Sequence, residues 1–105
     1  MVFVETPIFT RRVVELLDEE QYRLLQGVLV AAPESGKVIP NSGGLRKLRW
    51  AGSGRGKRGG IRVIYYWLPE QAEILMLFLF AKNEQSDLDA QQLRKLRRTV
   101  EEELK

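Results

Sequence analysis

Two apolar, strand-like runs lie on either side of a glycine-rich segment. The runs are residues 45–50 and 61–68, and residues 51–60 between them contain five glycines. The sequence therefore predicts two strands joined by an exposed hairpin loop. Residues 72–81 are apolar on both alternating faces, which predicts a central strand, and residues 2–5 predict a first strand.

In the other regular segments, apolar residues recur at the spacing that is typical of helices. Thr6 followed by Pro7 predicts a helix start, Asp18 starts a second helix that Pro33 ends, and Asp89 starts a helix near the C-terminus. The polar connection 34–44 predicts an irregular surface segment. The resulting order, β-α-α-β-β-β-α, predicts one α+β domain over residues 1–105. We expect an antiparallel sheet with an N-terminal helical hairpin and a C-terminal helix, all packed on one face.

The charge pattern adds a basic block in the middle of the chain. Net charge is only +3, but residues 35–69 hold eight basic and no acidic side chains, whereas both flanking segments contain more acids than bases. A local positive field of this kind favours a polyanionic partner. Residues 74–81 form the longest apolar run, too short to span a bilayer, and no signal pattern stands at the N-terminus. We expect a soluble cytoplasmic protein with no membrane partner.

Three cations of this block are predicted to converge. Lys47 and Arg49 share one face of their strand, and the hairpin places Arg62 beside them. Tyr66 shares the face of Arg62, where base stacking and core packing are both open. The glycine-rich loop adds Arg55, Lys57 and Arg58. The pattern predicts an anion-binding surface whose ligand is phosphate, and a plain binding surface remains an alternative to an active site.

The residues available restrict the chemistry. The chain has no cysteine and no histidine, and clustered carboxylates are missing from the basic block, so we expect no bound metal and no cofactor. Metal-free RNA cleavage remains open because the RNA 2′-hydroxyl supplies the nucleophile. Crowded cations favour a neutral lysine, so Lys47 is a candidate base, while arginine suits a pentavalent phosphate.

The chain resembles the RelE/ParE toxin superfamily, above all its HigB-like branch, in four successive features. These are LRKLRW, then GKRGGIRVIYYW, then an apolar strand ending in FAKNEQSDLD, and last an amphipathic helix. The resemblance covers nearly all of the chain from Leu45 onward and, more weakly, the N-terminal strand and helices. It implies a toxin of a bacterial type II toxin–antitoxin pair that enters the ribosomal A site and cuts mRNA there.

The resemblance also implies site residues. Lys47 and Arg49 match the paired strand lysines of the RelE pattern, Arg62 matches its strand arginine, and Lys82 matches its lysine after the last strand. Asn83 stands where the pattern has another arginine, Asp89 lies near its late tyrosine, and Tyr65 matches its strand tyrosine. The expected catalytic set is Lys47, Arg49, Arg62 and Lys82. The expected RNA-binding set is Arg46, Arg55, Lys57, Arg58, Tyr66 and Asn83.

The partners implied by the resemblance are a cognate antitoxin, often a helix-turn-helix protein in HigB-like pairs, and the ribosome with its mRNA. Two alternatives remain at this point. One is a ParE-like gyrase poison, which the compact strand cations disfavour, and the other is a non-catalytic basic module that binds RNA or DNA.

Overall fold

The computed structural model describes residues 1–51 and 60–105. These residues contain five strands and three helices. Most of the predicted loop 51–60 lies outside these residues. The elements are β1 (Val2–Glu5), α1 (Pro7–Leu16), α2 (Glu19–Ala31), β2 (Lys37–Val38), β3 (Arg46–Trp50), β4 (Ile61–Leu68), β5 (Glu73–Ala81) and α3 (Ala90–Glu103). A 3-10 turn, Pro69–Gln71, joins β4 to β5.

The helix starts follow from local capping chemistry. The hydroxyl oxygen of Thr6 accepts the Phe9 amide at 3.1 Å, and the Asp18 carboxylate caps α2 in the same way. Asp89 and Gln92 form a reciprocal capping box at α3, with donor–acceptor distances of 2.7 and 3.0 Å. These side chains satisfy amide groups that have no partner within the first helical turn. All three predicted helix starts are confirmed.

The sheet has the order β1-β5-β4-β3-β2. Strands β3, β4 and β5 form the predicted antiparallel meander, and β5 lies inside the sheet, as its two apolar faces indicated. The prediction of a wholly antiparallel sheet is wrong, because β1 pairs with β5 in parallel. Two helices separate β1 from the rest of the sheet, so no hairpin turn constrains its direction. Strand β2, which pairs with β3, lies in the connection that was predicted to be irregular.

Helices cover both faces of the sheet, not one face as the sequence predicted. Phe9 of α1 and Leu25 of α2 pack on one face, while Leu96 and Val100 of α3 pack on the other. Strand β5 is buried on both faces, and each apolar face must be covered to exclude water. The helical hairpin and α3 therefore divide the two faces between them, and the predicted α+β class is confirmed in this three-layer form.

Candidate nucleic-acid cleft

The register between β3 and β4 aligns the predicted cations on one face of the sheet. Arg49 is directly opposite Arg62, and Lys47 is opposite Ile64, whose side chain belongs to the core beneath α3. Because side chains alternate along a strand, Lys47, Arg49 and Arg62 share the α3 face. They border an open cleft of about 580 Å³. Its lining residues are Ser35, Lys37, Lys47, Leu48, Arg49, Arg62, Lys82, Ser86 and Asp87.

Arg62 is the buried cation of this cleft, with only 6% of its surface exposed. Burial, with the nearby charge of Arg49, lowers the pKa of Arg62, and the charge of Asp87 partly opposes the shift. Arginine nevertheless stays protonated at physiological pH. The floor of the cleft therefore carries a fixed positive charge, which favours an anionic ligand.

Asp87 brings a carboxylate into the cationic cleft. Its Oδ1 accepts a hydrogen bond from Lys47 Nζ at 3.0 Å and another from the Leu88 amide at 2.8 Å. Partial burial raises the pKa of Asp87, but these hydrogen bonds and the charges of Lys47 and Arg62 outweigh burial and hold it below its usual value. Asp87 is therefore ionised at neutral pH.

The turn after β5 is held from the opposite side of the sheet. Arg12 of α1 donates from Nε to the Leu79 carbonyl at 2.8 Å and pairs with the Glu84 carboxylate, which accepts the Ala81 amide at 2.8 Å. The Lys82 amide donates to the Gly60 carbonyl at 3.0 Å. These contacts connect the start of the 82–89 segment to the sheet, and this segment carries three lining residues of the cleft, Lys82, Ser86 and Asp87.

Comparison of the sequence with known protein families gives a match over most of the chain. The sequence model of the family described as "RelE toxin of RelE / RelB toxin-antitoxin system" matches residues 11–105. The chain belongs to the RelE toxin family. As a member, it is a toxin of a toxin–antitoxin system. The RelE/ParE resemblance is thereby confirmed, while the narrower HigB-like placement stays a prediction.

A solved structure has the same fold as this RelE-family toxin. It is a chain of "the intact E. coli RelBE toxin-antitoxin complex", 13% identical in sequence, with a TM-score of 0.55. The match covers 76% of the present chain and 94% of the other. At this level of identity the likeness establishes the fold alone.

The structure brings the four predicted catalytic cations, Lys47, Arg49, Arg62 and Lys82, to the same cleft. The three members of the expected RNA-binding set that the structure describes, Arg46, Tyr66 and Asn83, do not line this cleft. Arg46 lies on the other face of β3, where its guanidinium donates to the Gly36 carbonyl at 2.8 Å.

Three further expectations have different outcomes. Tyr66 shares the sheet face of Arg62 but packs against the core beneath α3, so the packing alternative describes it. Asn83 is exposed and does not line the cleft. Arg55, Lys57 and Arg58 lie outside the described residues.

Tyr65, the match to the family's strand tyrosine, is fully buried on the opposite face of the sheet from the cleft. Its hydroxyl donates to the Pro33 carbonyl at 2.7 Å and accepts the Gly36 amide at 2.9 Å. Burial raises the pKa of Tyr65, so the hydroxyl remains a donor. Tyr65 thus anchors the turn between α2 and β2 and does not reach the cleft.

The sequence does not predict two charged residues of the cleft lining, Lys37 and Asp87. Lys37 belongs to the basic block, but the short strand that aligns it with Lys47 has no recognisable pattern of its own. Asp87 was counted only as part of a mildly acidic C-terminal segment. Asp87 and Lys47 are 40 positions apart in the sequence, so no local pattern predicts that they pair.

Two features are absent from the described ranges. No group of three or more acidic, histidine or cysteine side chains there has the arrangement that holds a metal ion. Across 1–51 and 60–105, no helix has the length and apolar character needed to cross a membrane.

Gly60 joins the β3–β4 hairpin to the turn that carries Lys82. Its φ of +64° lies in the left-handed region, and a Cβ there would overlap the Trp50 carbonyl oxygen. We expect Gly60→Ala to lower the free energy of unfolding by at least about 1–2 kcal/mol, the cost of that backbone for an L-residue. Urea denaturation measures this change.

Gly27→Ala is the matched control, because Gly27 lies within α2 and an added Cβ would meet no atom within 4 Å. Alanine is the better helix former, so this control should raise stability by about 0.5–1 kcal/mol. Equal effects of the two substitutions would refute the account of Gly60.

Proposed function

We propose that this RelE-family toxin is a ribosome-dependent mRNA endoribonuclease that needs no metal ion and inhibits translation. The observation that supports the proposal is the convergence of Lys47, Arg49, Arg62 and Lys82 on one open cleft that also contains Asp87. Cations fixed on paired strands match a phosphodiester whose charge grows in the transition state. A carboxylate among them provides a proton acceptor where histidine is lacking.

The reaction proposed for this cleft is an internal transesterification of RNA. The 2′-oxygen attacks the adjacent phosphorus, and its proton passes to Asp87. The bond between phosphorus and the 5′-oxygen breaks, and the departing oxygen takes a proton from solvent. The products are a 2′,3′-cyclic phosphate and a 5′-hydroxyl end. Arg49 and Arg62 stabilise the pentavalent phosphate through their planar donor groups.

Lys47 has a different role in this proposal from the one expected of it. The sequence suggested that crowding by cations would make Lys47 a base. The partner of its ammonium group is an acid, Asp87, at 3.0 Å. We therefore assign charge neutralisation at the phosphate to Lys47 and proton transfer to the Asp87 carboxylate, which is ionised at neutral pH.

The partners proposed for the toxin are its cognate antitoxin and the ribosome with mRNA in the A site. The similar solved chain comes from a toxin–antitoxin complex. An antitoxin, which we expect to be a helix-turn-helix protein, would inhibit by covering the cationic cleft or by preventing entry to the A site. A ribosomal target implies a cytoplasmic location.

Induced expression in a bacterial host tests the function. We expect protein synthesis to stop before DNA synthesis, and primer extension on translated mRNA to show cuts in frame with codons. Co-expression of the antitoxin should suppress both effects. DNA damage without mRNA cuts would instead support the gyrase-poison alternative. Harmless expression with salt-sensitive nucleic-acid binding would support a non-catalytic module.

A further inference from the structure

Two pairs of like charges face each other across neighbouring strands of the cleft. Arg49 is opposite Arg62 on β4, and Lys47 is opposite Lys37 on β2. Directly opposed like charges destabilise an antiparallel sheet. Both pairs lie on the same face, because Lys47 and Arg49 are two residues apart on β3. We call them the arginine pair and the lysine pair.

The two pairs differ in the negative charge that compensates them. Lys47 has Asp87 at 3.0 Å, and the charge of Asp87 also reaches Arg62. For Lys37, no carboxylate oxygen in residues 1–51 or 60–105 lies within 4 Å. The Lys37 side chain is exposed and lines the same cleft. Its ammonium therefore lacks local compensation and is accessible to an anion from solvent.

The distance between the pairs fits a continuous nucleic-acid backbone. Two residues along a strand span ~6.6 Å, which is comparable to the separation of neighbouring phosphates in a single strand. A phosphate at the arginine pair would thus have its neighbour at the lysine pair. Strand β3 supplies one cation to each pair, so the two pairs define the line along which the RNA backbone lies.

We propose that Lys37 is a second phosphate-binding site, which holds the phosphodiester next to the one that is cut. This inference rests on the proposed function, because it takes the arginine pair as the site of the scissile phosphate. The ligand class is a single-stranded oligoribonucleotide with at least two consecutive phosphates. Lys37 binds and aligns the chain and takes no part in bond breaking.

Binding of two non-cleavable oligonucleotides to the purified toxin tests the second site. One is a 2′-O-methyl dinucleotide with a single internucleotide phosphate, and the other is a 2′-O-methyl trinucleotide with two; neither carries terminal phosphates. We expect the trinucleotide to bind more tightly. Lys37→Ala should weaken the trinucleotide about three- to tenfold, leave the dinucleotide unchanged, and reduce the salt slope of trinucleotide binding by ~0.7. Lys37→Arg should restore affinity.

Lys105→Ala is the control for loss of one exposed lysine outside the cleft lining. The inference is overturned if Lys37→Ala behaves like this control, if it weakens both ligands equally, or if the second phosphate adds no affinity. The expression experiment decides the proposed function separately. If the trinucleotide binds in a Lys37-dependent way but expression gives no in-frame mRNA cuts, Lys37 is a phosphate-binding residue and the proposed endoribonuclease function is wrong.

Discussion

Replacing Arg62 by methionine should slow ribosome-dependent mRNA cutting by about 10²–10³-fold, the usual effect of removing one fixed transition-state donor. Methionine fills a similar volume but removes the charge. Arg62 is buried and has contacts within the fold, so its replacement should also cost some stability. We expect a lower thermal midpoint than that of the parent, with a cooperative transition that lies above the assay temperature. Single-turnover cutting on programmed ribosomes and calorimetry measure the two effects.

The control for this prediction is Arg11→Met. Arg11 is an exposed residue of α1, the helix that packs on the other face of the sheet. It removes the same charge from the molecule without touching the cleft, so cutting should remain close to that of the parent. Undiminished cutting by the Arg62 variant would contradict the proposed site. An equal loss of cutting in the Arg11 variant would also contradict it, because Arg11 does not line the cleft.

Asp87→Asn should separate binding from chemistry. Asparagine retains an oxygen that can accept the Leu88 amide but cannot take the proton of the 2′-hydroxyl. We expect cutting to fall about 10²–10⁴-fold, the range for loss of a general base. A non-cleavable oligonucleotide should bind about two- to fivefold more tightly, because one exposed negative charge no longer competes for Lys47. Fluorescence titration and single-turnover cutting measure the two changes.

Glu70→Gln is the control for an acid-to-amide change, since Glu70 is exposed in the turn at the opposite end of β4 from Arg62 and does not line the cleft. It should alter neither quantity. If Asp87→Asn tightens binding but cuts at the parental rate, Asp87 is only a counter-ion. If it weakens binding, its pairing with Lys47 organises the cleft instead of competing with RNA.

Acid titration of stability provides an independent check of Asp87. Its pKa in the folded protein is lowered, so its stabilising contribution is present above the unfolded value of about 4 and is lost as the pH falls through the folded value. The free energy of unfolding should therefore fall in this acidic window. Asp87→Asn should make that fall shallower, and an identical acid profile would contradict the ion pair with Lys47.

Features that depend on neighbours in sequence could be predicted. Thr6, Asp18 and Asp89 cap helices through amides only three residues away, and strand alternation placed Lys47 and Arg49 on one face. The hairpin order then aligned Arg62 with them. The sequence alone therefore predicts that the three strand cations of the cleft lie together.

Features that depend on distant parts of the chain could not be predicted. Alternation along β1 reveals burial but not direction, so its parallel pairing with β5 was missed. Lys37 reaches the cleft through a strand of only two residues. Asp87 reaches it because contacts such as Arg12 with Glu84 hold the turn after β5.

The most direct test of the central claim, that this cleft activates a 2′-hydroxyl of RNA, is a single-atom change in the substrate. Ribosomes are programmed with an mRNA carrying one 2′-deoxynucleotide immediately 5′ of the mapped cut site, and cutting by the wild-type toxin is followed. We predict that cutting at that site disappears, while the all-ribose mRNA gives a 2′,3′-cyclic phosphate end. Cutting of the deoxy-substituted mRNA at the normal rate would contradict the account, because the nucleophile would then have to be water.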